Sequence, residues 1–295
     1  MQYRALGRTG IDISAVTYGG IVSAGYYDQV NYPDLDQSAS DAFVAYAIDH
    51  GVNYFDVAPA YGNAQAQLGN SLRPYRDRVH LACKTLKRDR AGAEQELRES
   101  LTLLHTDHLD VYQLHAISGM EDVEAAFAPG GVMELMRDLK EKGVVAHIGF
   151  TAHDEEAALR MLELYDFETV LFPVNWLMHL SRGMGDRLLK AARQGGMGVL
   201  GMKWMIERCW ESDAERAASH YPKSWCKPIE DDAFALAAMR YALSLGVDTL
   251  VPPGNFPCFQ FAVENIDACL NVPYSDTDAR LLAEKLEMLR GKEFF

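Results

Sequence analysis

Short apolar runs rich in β-branched and aromatic residues recur along the chain, each followed by a stretch with apolar positions three and four apart. Residues 52–57, 78–84, 109–115, 144–150, 169–174, 197–202 and 247–251 read as buried strands. Helical spacing fills the intervals at 38–49, 63–72, 91–105, 132–141, 154–164, 181–194, 231–245 and 258–270, and again at 276–290. Leu97, Leu101 and Leu104 show the spacing most plainly, and Ser38 reads as the cap of the first helix. Gly51, Gly195 and Gly246 stand just past helix ends, where a glycine stops a helix. Before the first helix, Gly7-Arg8-Thr9-Gly10 forms a turn between two extended pieces, the second over residues 13–18, which predicts a hairpin. Strand alternating with helix predicts an α/β fold with parallel strands. The tally is a (β/α)8 TIM barrel preceded by a β-hairpin and followed by an extra C-terminal helix. No linker or shift of composition divides residues 1–295, so a single domain is expected.

Two stretches break the rhythm. Residues 120–131 are acidic and close on Pro-Gly-Gly, which reads as a loop or a short surface helix. Residues 205–230 carry Trp210, Tyr221, Pro222, Trp225 and Pro228 and are too long for an ordinary strand-to-helix loop; a lid or pocket wall and a structural insertion are both open.

Charge narrows the partners. Lys+Arg number 28 against Asp+Glu 42, for a net charge of −14, which argues against nucleic acid or an anionic membrane surface as a partner. A small positive pocket remains compatible with it. Cys83, Cys209, Cys226, Cys258 and Cys269 form no CxxC pair and have no metal-ligand spacing with histidine, so free thiols and no metal are expected. Residues 1–10 are polar, and no apolar run is long enough to span a bilayer. A cytoplasmic protein is the expectation.

The strand ends carry the chemistry. Asp56, Lys84 and His115 each close a predicted strand, and Tyr61 follows Asp56 across the turn Ala58-Pro59-Ala60. In a closed barrel all strand C-termini meet at one face, so these four side chains converge there. Singly each has an ordinary reading, Asp56 with Lys84 as a structural ion pair and His115 as a core histidine. Together they make a proton-transfer site. An ammonium against a phenol lowers the phenol's pKa, a carboxylate holds that ammonium, and an imidazole orients a carbonyl oxygen. Such a site suits proton transfer coupled to hydride transfer, and the hydride must come from a bound cofactor.

The segment Gly51-Val52-Asn53-Tyr54-Phe55-Asp56-Val57-Ala58-Pro59-Ala60-Tyr61-Gly62 resembles the signature of the aldo-keto reductases, whose Asp, Tyr, Lys and His tetrad is matched by Asp56, Tyr61, Lys84 and His115. The resemblance runs from the Gly7–Gly10 turn to Glu264-Asn265 and implies reduction of an aldehyde, ketone or sugar carbonyl with NADPH. It makes Tyr61 the general acid, Lys84 and Asp56 its tuning pair, and His115 the orienting group. It places Gly20, Ile21, Asp56 and Thr151 by the nicotinamide and Met202 and Lys203 beneath it and the pyrophosphate. Gly254 and Asn255 then hold the adenosine phosphate, at a helix N-terminus that favours anions, with Glu264 and Asn265 at the adenine. Tyr26, Trp176 and Trp204 are candidate substrate-pocket walls.

Departures from the family pattern carry their own expectations. The positions that often hold Lys, Ser or Thr, and Arg around the 2′-phosphate fall on Asn255, Phe256 and Phe261, and no Lys or Arg occurs from residue 249 to 269. Charge-assisted contacts to that phosphate are missing, which predicts NADP(H) with NAD(H) also accepted. A usual glutamine falls on Leu171, a usual Ser-Asn on Thr151-Ala152, and a usual stacking aromatic on Met202. The Met202-Lys203 pair resembles a bacterial branch that carries an appended iron–sulfur module, here without the clustered cysteines of that module. Two other readings stay open: a nucleotide-sensing regulatory protein with little turnover, and more distantly a metal-dependent hydrolase using His115, His147 and His153.

Overall fold

The computed structural model describes residues 1–294; Phe295 lies outside them. The chain opens with the antiparallel pair β1 (Tyr3–Ala5) and β2 (Asp12–Ser14), then β3 (Tyr18–Gly19), a 3-10 turn at Gly20–Ser23 and a small hairpin of β4 (Tyr26–Tyr27) and β5 (Val30–Asn31). Next come α1 (Gln37–Asp49), β6 (Tyr54–Asp56), α2 (Ala64–Leu72), β7 (His80–Thr85), α3 (Arg90–Leu103) and β8 (Leu109–Ile117). They are followed by α4 (Met120–Phe127), α5 (Val132–Glu141), β9 (Val145–Ala152), α6 (Glu155–Leu164), β10 (Thr169–Pro173), α7 (Trp176–Arg182), α8 (Asp186–Gln194) and β11 (Gly198–Met202). The chain closes with β12 (Ile206–Cys209), α9 (Asp213–Ala218), β13 (Cys226–Pro228), α10 (Asp232–Ser244), β14 (Thr249–Val251), α11 (Phe256–Asn271) and α12 (Asp276–Met288).

Eight strands in the order β14-β11-β10-β9-β8-β7-β6-β3 make one parallel sheet. Its two edges meet through a parallel bridge between Val16 and Leu250, with Thr17 N donating to Leu250 O at 2.9 Å and Leu250 N to Ala15 O at 2.9 Å. The ring is therefore a (β/α)8 barrel, as the alternation of elements predicts. Residues that face inward from β6, β7, β8, β10 and β11 (Tyr54, Ala82, Val111, Leu171, Leu200) pack with Leu6 and Ile13 of the first hairpin. That hairpin stoppers the N-terminal end, so access is from the C-terminal face.

Local chemistry explains where boundaries differ from the sequence pattern. The cap of α1 is Asp36, whose carboxylate accepts from Ala39 N at 3.0 Å, and Ser38 lies inside the helix. The continuous helix expected over 181–194 is two helices, because Gly183 and Gly185 both take positive φ between α7 and α8. The acidic stretch after β8 is helical over α4. No helix among the described residues is long and apolar enough to cross a membrane.

Candidate active site

Asp56 ends β6 and Lys84 stands on the neighbouring β7. Lys84 is 0% exposed, and its ammonium bonds the Asp56 carboxylate. Burial pushes the Asp56 carboxyl up, and the Lys84 charge pulls it back. Past Asp56 the chain turns so that Tyr61 lies over this pair, with Lys84 Nζ 5.6 Å from its ring centroid. Gly62 permits the turn: φ is +59°, and a Cβ there would meet Tyr26 O at 1.7 Å.

The sequence reading expects Lys84 to lower the Tyr61 pKa. The geometry reverses that expectation. Lys84 gives its hydrogen bond to Asp56, and the Tyr61 hydroxyl is raised well above the ordinary phenol range, first by burial and then by the Asp56 charge.

His115 reaches the same point by a different device. The β8–β9 ladder shifts register between Leu114 and Ile117, and Ala116 in the gap takes φ +56°. Thr151 Oγ1 accepts from Ala116 N at 2.7 Å, and Arg88 Nη2, itself paired with Asp122 through Nε at 2.9 Å, donates to His115 O at 2.7 Å. The bulge turns the imidazole edge-on to Tyr61, with ring centroids 5.6 Å apart. Burial first, then the Lys84 charge, brings the His115 pKa down to about 3, so the ring is neutral at working pH.

These groups face a cavity of about 340 Å³. Gly19, Ile21, Thr151, Leu171 and Met202 line it from the barrel, and Pro252, Pro253 and Gly254 from the turn before α11. The remaining wall is the 205–230 segment, which folds as the hairpin of β12 and β13 around α9 and contributes Ile206, Lys223, Ser224, Trp225 and Cys226. Lys203 enters beside it on a residue with φ +64°, its ammonium 4.5 Å from the Trp225 ring centroid, and burial brings its pKa down to about 8. Of the two open readings of this stretch, the geometry is that of a pocket wall.

Asp56, Tyr61 and His115 line the cavity and Lys84 lies directly behind them. Ile21, Thr151, Met202, Lys203 and Gly254 line it too, whereas Gly20, Asn255, Glu264 and Asn265 do not. Asn265 Nδ2 folds back onto Phe261 O at 2.8 Å, and Glu264 accepts from Gln260 at 2.9 Å. The three expected substrate walls are corrected. Trp176 and Trp204 are fully buried in the core, and the Trp176 indole N–H holds Ile206 O at 3.2 Å from behind the wall. Tyr26 points outward because neighbours on a strand alternate, and Tyr27 takes the inward place. His147 pairs with Glu168 Oε1 at 2.7 Å and does not line the cavity, so the three-histidine constellation does not assemble. The sequence reading offers the 205–230 segment, with Trp225 in it, as a wall, and does not single out Tyr27, His153 or Lys223 as lining residues. An aromatic-rich insertion was the signal for Trp225; a lysine among tyrosine, proline and tryptophan, as in Tyr221-Pro222-Lys223-Ser224-Trp225, was the signal for Lys223.

The fold has known counterparts. A sequence model of the aldo/keto reductase family matches residues 18–207, and the chain belongs to that family. It is 27% identical over 247 residues to the aldo-keto reductase YhdN of Bacillus subtilis, spanning 76% of this chain and 70% of that one. In structure it is similar to the holo form of aldo-keto reductase AKR11C1 from Bacillus halodurans, with a TM-score of 0.72, 16% identity, and 97% and 96% of the two chains covered. The glycerol dehydrogenase AKR11B4 from Gluconobacter oxydans gives a TM-score of 0.70 at 17% identity, covering 99% and 97%. Membership makes the chain an oxidoreductase of a family that uses nicotinamide cofactors.

Proposed function

We propose that the protein is an NAD(P)H-dependent carbonyl reductase in which Tyr61 is the proton donor. The observation that carries this reading is the meeting of Tyr61, His115 and the Asp56–Lys84 pair at one enclosed cavity. When bound, the reduced nicotinamide supplies the hydride. The Tyr61 hydroxyl gives its proton to the carbonyl oxygen as that oxygen gains negative charge, and afterwards recovers one from solvent. A raised pKa keeps the phenol protonated across the working range, which suits reduction, and favours prompt reprotonation of the phenolate left behind. Neutral His115 donates one hydrogen bond to the same oxygen without competing as an acid.

The residues present fit a dinucleotide. The N-terminal amides of α11 follow Gly254, which lies so close to Ile21 that a Cβ would meet the Ile21 side chain at 2.3 Å. Asn255 does not cap its own helix, and its buried Nδ2 has no partner, leaving a donor for a phosphate oxygen. Lys203 supplies charge beside that turn, at the end of the neighbouring strand β11. The stretch from 249 to 269 has no cation, and Phe256, the first residue of α11, stacks on Phe43 of α1 with centroids 4.0 Å apart. We read this as NADPH use with NADH also accepted. A panel of aldehydes, ketones and sugars run with both cofactors, followed by absorbance loss, tests the activity. Titrating each cofactor against tryptophan fluorescence tests the selectivity, and a preference for NADPH of several orders of magnitude would contradict it.

A further inference from the structure

The insertion places a charge in the cavity that the proton-transfer scheme does not use. Lys223 is 3% exposed and lines the cavity beside Ser224 and Trp225. Its Nζ donates to Val22 O and Ala24 O, both at 3.0 Å, and lies 5.7 Å from the Tyr32 ring centroid. An ammonium carries three N–H donors, so two carbonyls leave one over. Among the described residues no carboxylate pairs with Lys223, and a buried cation without a counter-charge is costly. The acidic residue lining the cavity, Asp56, is bound to Lys84.

We propose that Lys223 selects a carboxylate-bearing aldehyde or ketone, its remaining N–H taking the substrate's carboxylate while the carbonyl lies at Tyr61. The proposal rests on the reductase reading and adds the substrate class to it. The Lys223 partners Val22 and Ala24 lead into the strand that holds Tyr27, whose ring meets Tyr61 edge-on with centroids 6.4 Å apart, so Lys223 and the proton donor border one cavity. Trp225, two residues beyond Lys223, lines it too; Ile21, the residue before Val22, borders Gly254, so unchanged NADPH binding by Lys223→Met separates a substrate role from a cofactor role. One cation with one donor to spare matches a monoanion. Burial alone pulls the Lys223 pKa down to about 7, and an anion beside it restores the charge. Lys203 and Lys223 line this cavity in a chain of net charge −14, so a small anion meets cations there that the acidic surface at large does not offer.

The test compares succinic semialdehyde with butanal, equal in carbon chain and differing in the carboxylate, under saturating NADPH. Wild type is expected to favour the acid by roughly 10- to 100-fold in kcat/KM, the span of one charge-assisted hydrogen bond. Lys223→Met should lose that preference while keeping its rate on butanal, and Lys223→Arg should retain part of it. Lys223→Met also strips Val22 O and Ala24 O of their donor, so Lys223→Arg, which keeps a donor there, is the control for folding. Equal kcat/KM for the two aldehydes in wild type, or a preference that survives in Lys223→Met, overturns the proposal. If neither aldehyde is turned over, the reductase reading fails on its own, and succinate decides the anion site. Quenching of tryptophan fluorescence by succinate in wild type but not in Lys223→Met supports the site; no difference between the two overturns it.

Discussion

Replacing Lys84 by methionine is the most discriminating perturbation of the site, because it tests burial, pairing and function together. Lys84 is 0% exposed and Asp56 2% exposed, so the variant strands a carboxylate in the barrel with no counter-charge. Two charges in contact at an effective dielectric of about 20 attract by roughly 4 kcal/mol. Breaking a buried pair on one side costs about 3–5 kcal/mol. The loss depends on pH in a definite direction. Burial already raises the Asp56 pKa, and removal of Lys84 raises it further, so the folded variant holds its proton after the unfolded chain has released it. Its stability is therefore closest to wild type at acid pH, below the ordinary carboxylate range. It falls by up to about 1.4 kcal/mol per pH unit as the pH climbs from there toward the folded pKa. Urea unfolding of wild type, Lys84→Met and the Asp56→Asn/Lys84→Met double variant from pH 4 to 8 reads this out. The double variant, with neither charge, should lie within about 2 kcal/mol of wild type and still lack activity. A Lys84→Met penalty below about 1 kcal/mol, or one that does not change with pH, would refute the buried pair.

Three further outcomes follow from the same geometry. Tyr61→Phe removes the proton donor and should lower kcat/KM by roughly 10²–10⁴ while dinucleotide binding, followed by fluorescence, is unchanged. His115, with its pKa near 3, should show no imidazole titration by NMR between pH 5 and 8; because the folded value is depressed, its contribution to stability rises with pH from about 3 to 6.5 and is flat above. Trp225→Ala, at a residue 52% exposed, should change substrate KM at little cost in stability, whereas Trp176→Phe should cost about 1–3 kcal/mol by leaving a void in the core and removing one of the two donors to Ile206 O, the other being Asn175 Nδ2.

The barrel was legible because its strands are short apolar runs separated by helices with plain periodicity, and because Asp56, Lys84 and His115 sit at the ends of such runs. What escaped the sequence depends on contacts between distant segments. The rise in the Tyr61 pKa comes first from burial and then from the Asp56 charge, and residue order encodes neither the depth of the hydroxyl nor its neighbours. The β8–β9 bulge that aims His115 needs Arg88 and Thr151, each on another strand or its loop. Trp176 and Trp204 looked like pocket walls because indoles often are, but Trp176 lies behind the β11–β12 turn and Trp204, within that turn, is buried in the core. The side chains that face the cavity from that direction belong to a hairpin whose strands are separated by α9.

The closure of the ring through Val16 and Leu250 bears on how the chain is made. Until residue 250 has left the ribosome, the sheet has two unpaired margins, one at β3 and one at β11, each offering a row of unmet amides to any passing strand. More than two hundred residues separate the partners of the sealing bridge, so the loop entropy of that contact must be met late, after most of the helices are in place. Nascent chains stalled short of β14 are thus expected to be the species that aggregate, and the finished ring is the form that does not.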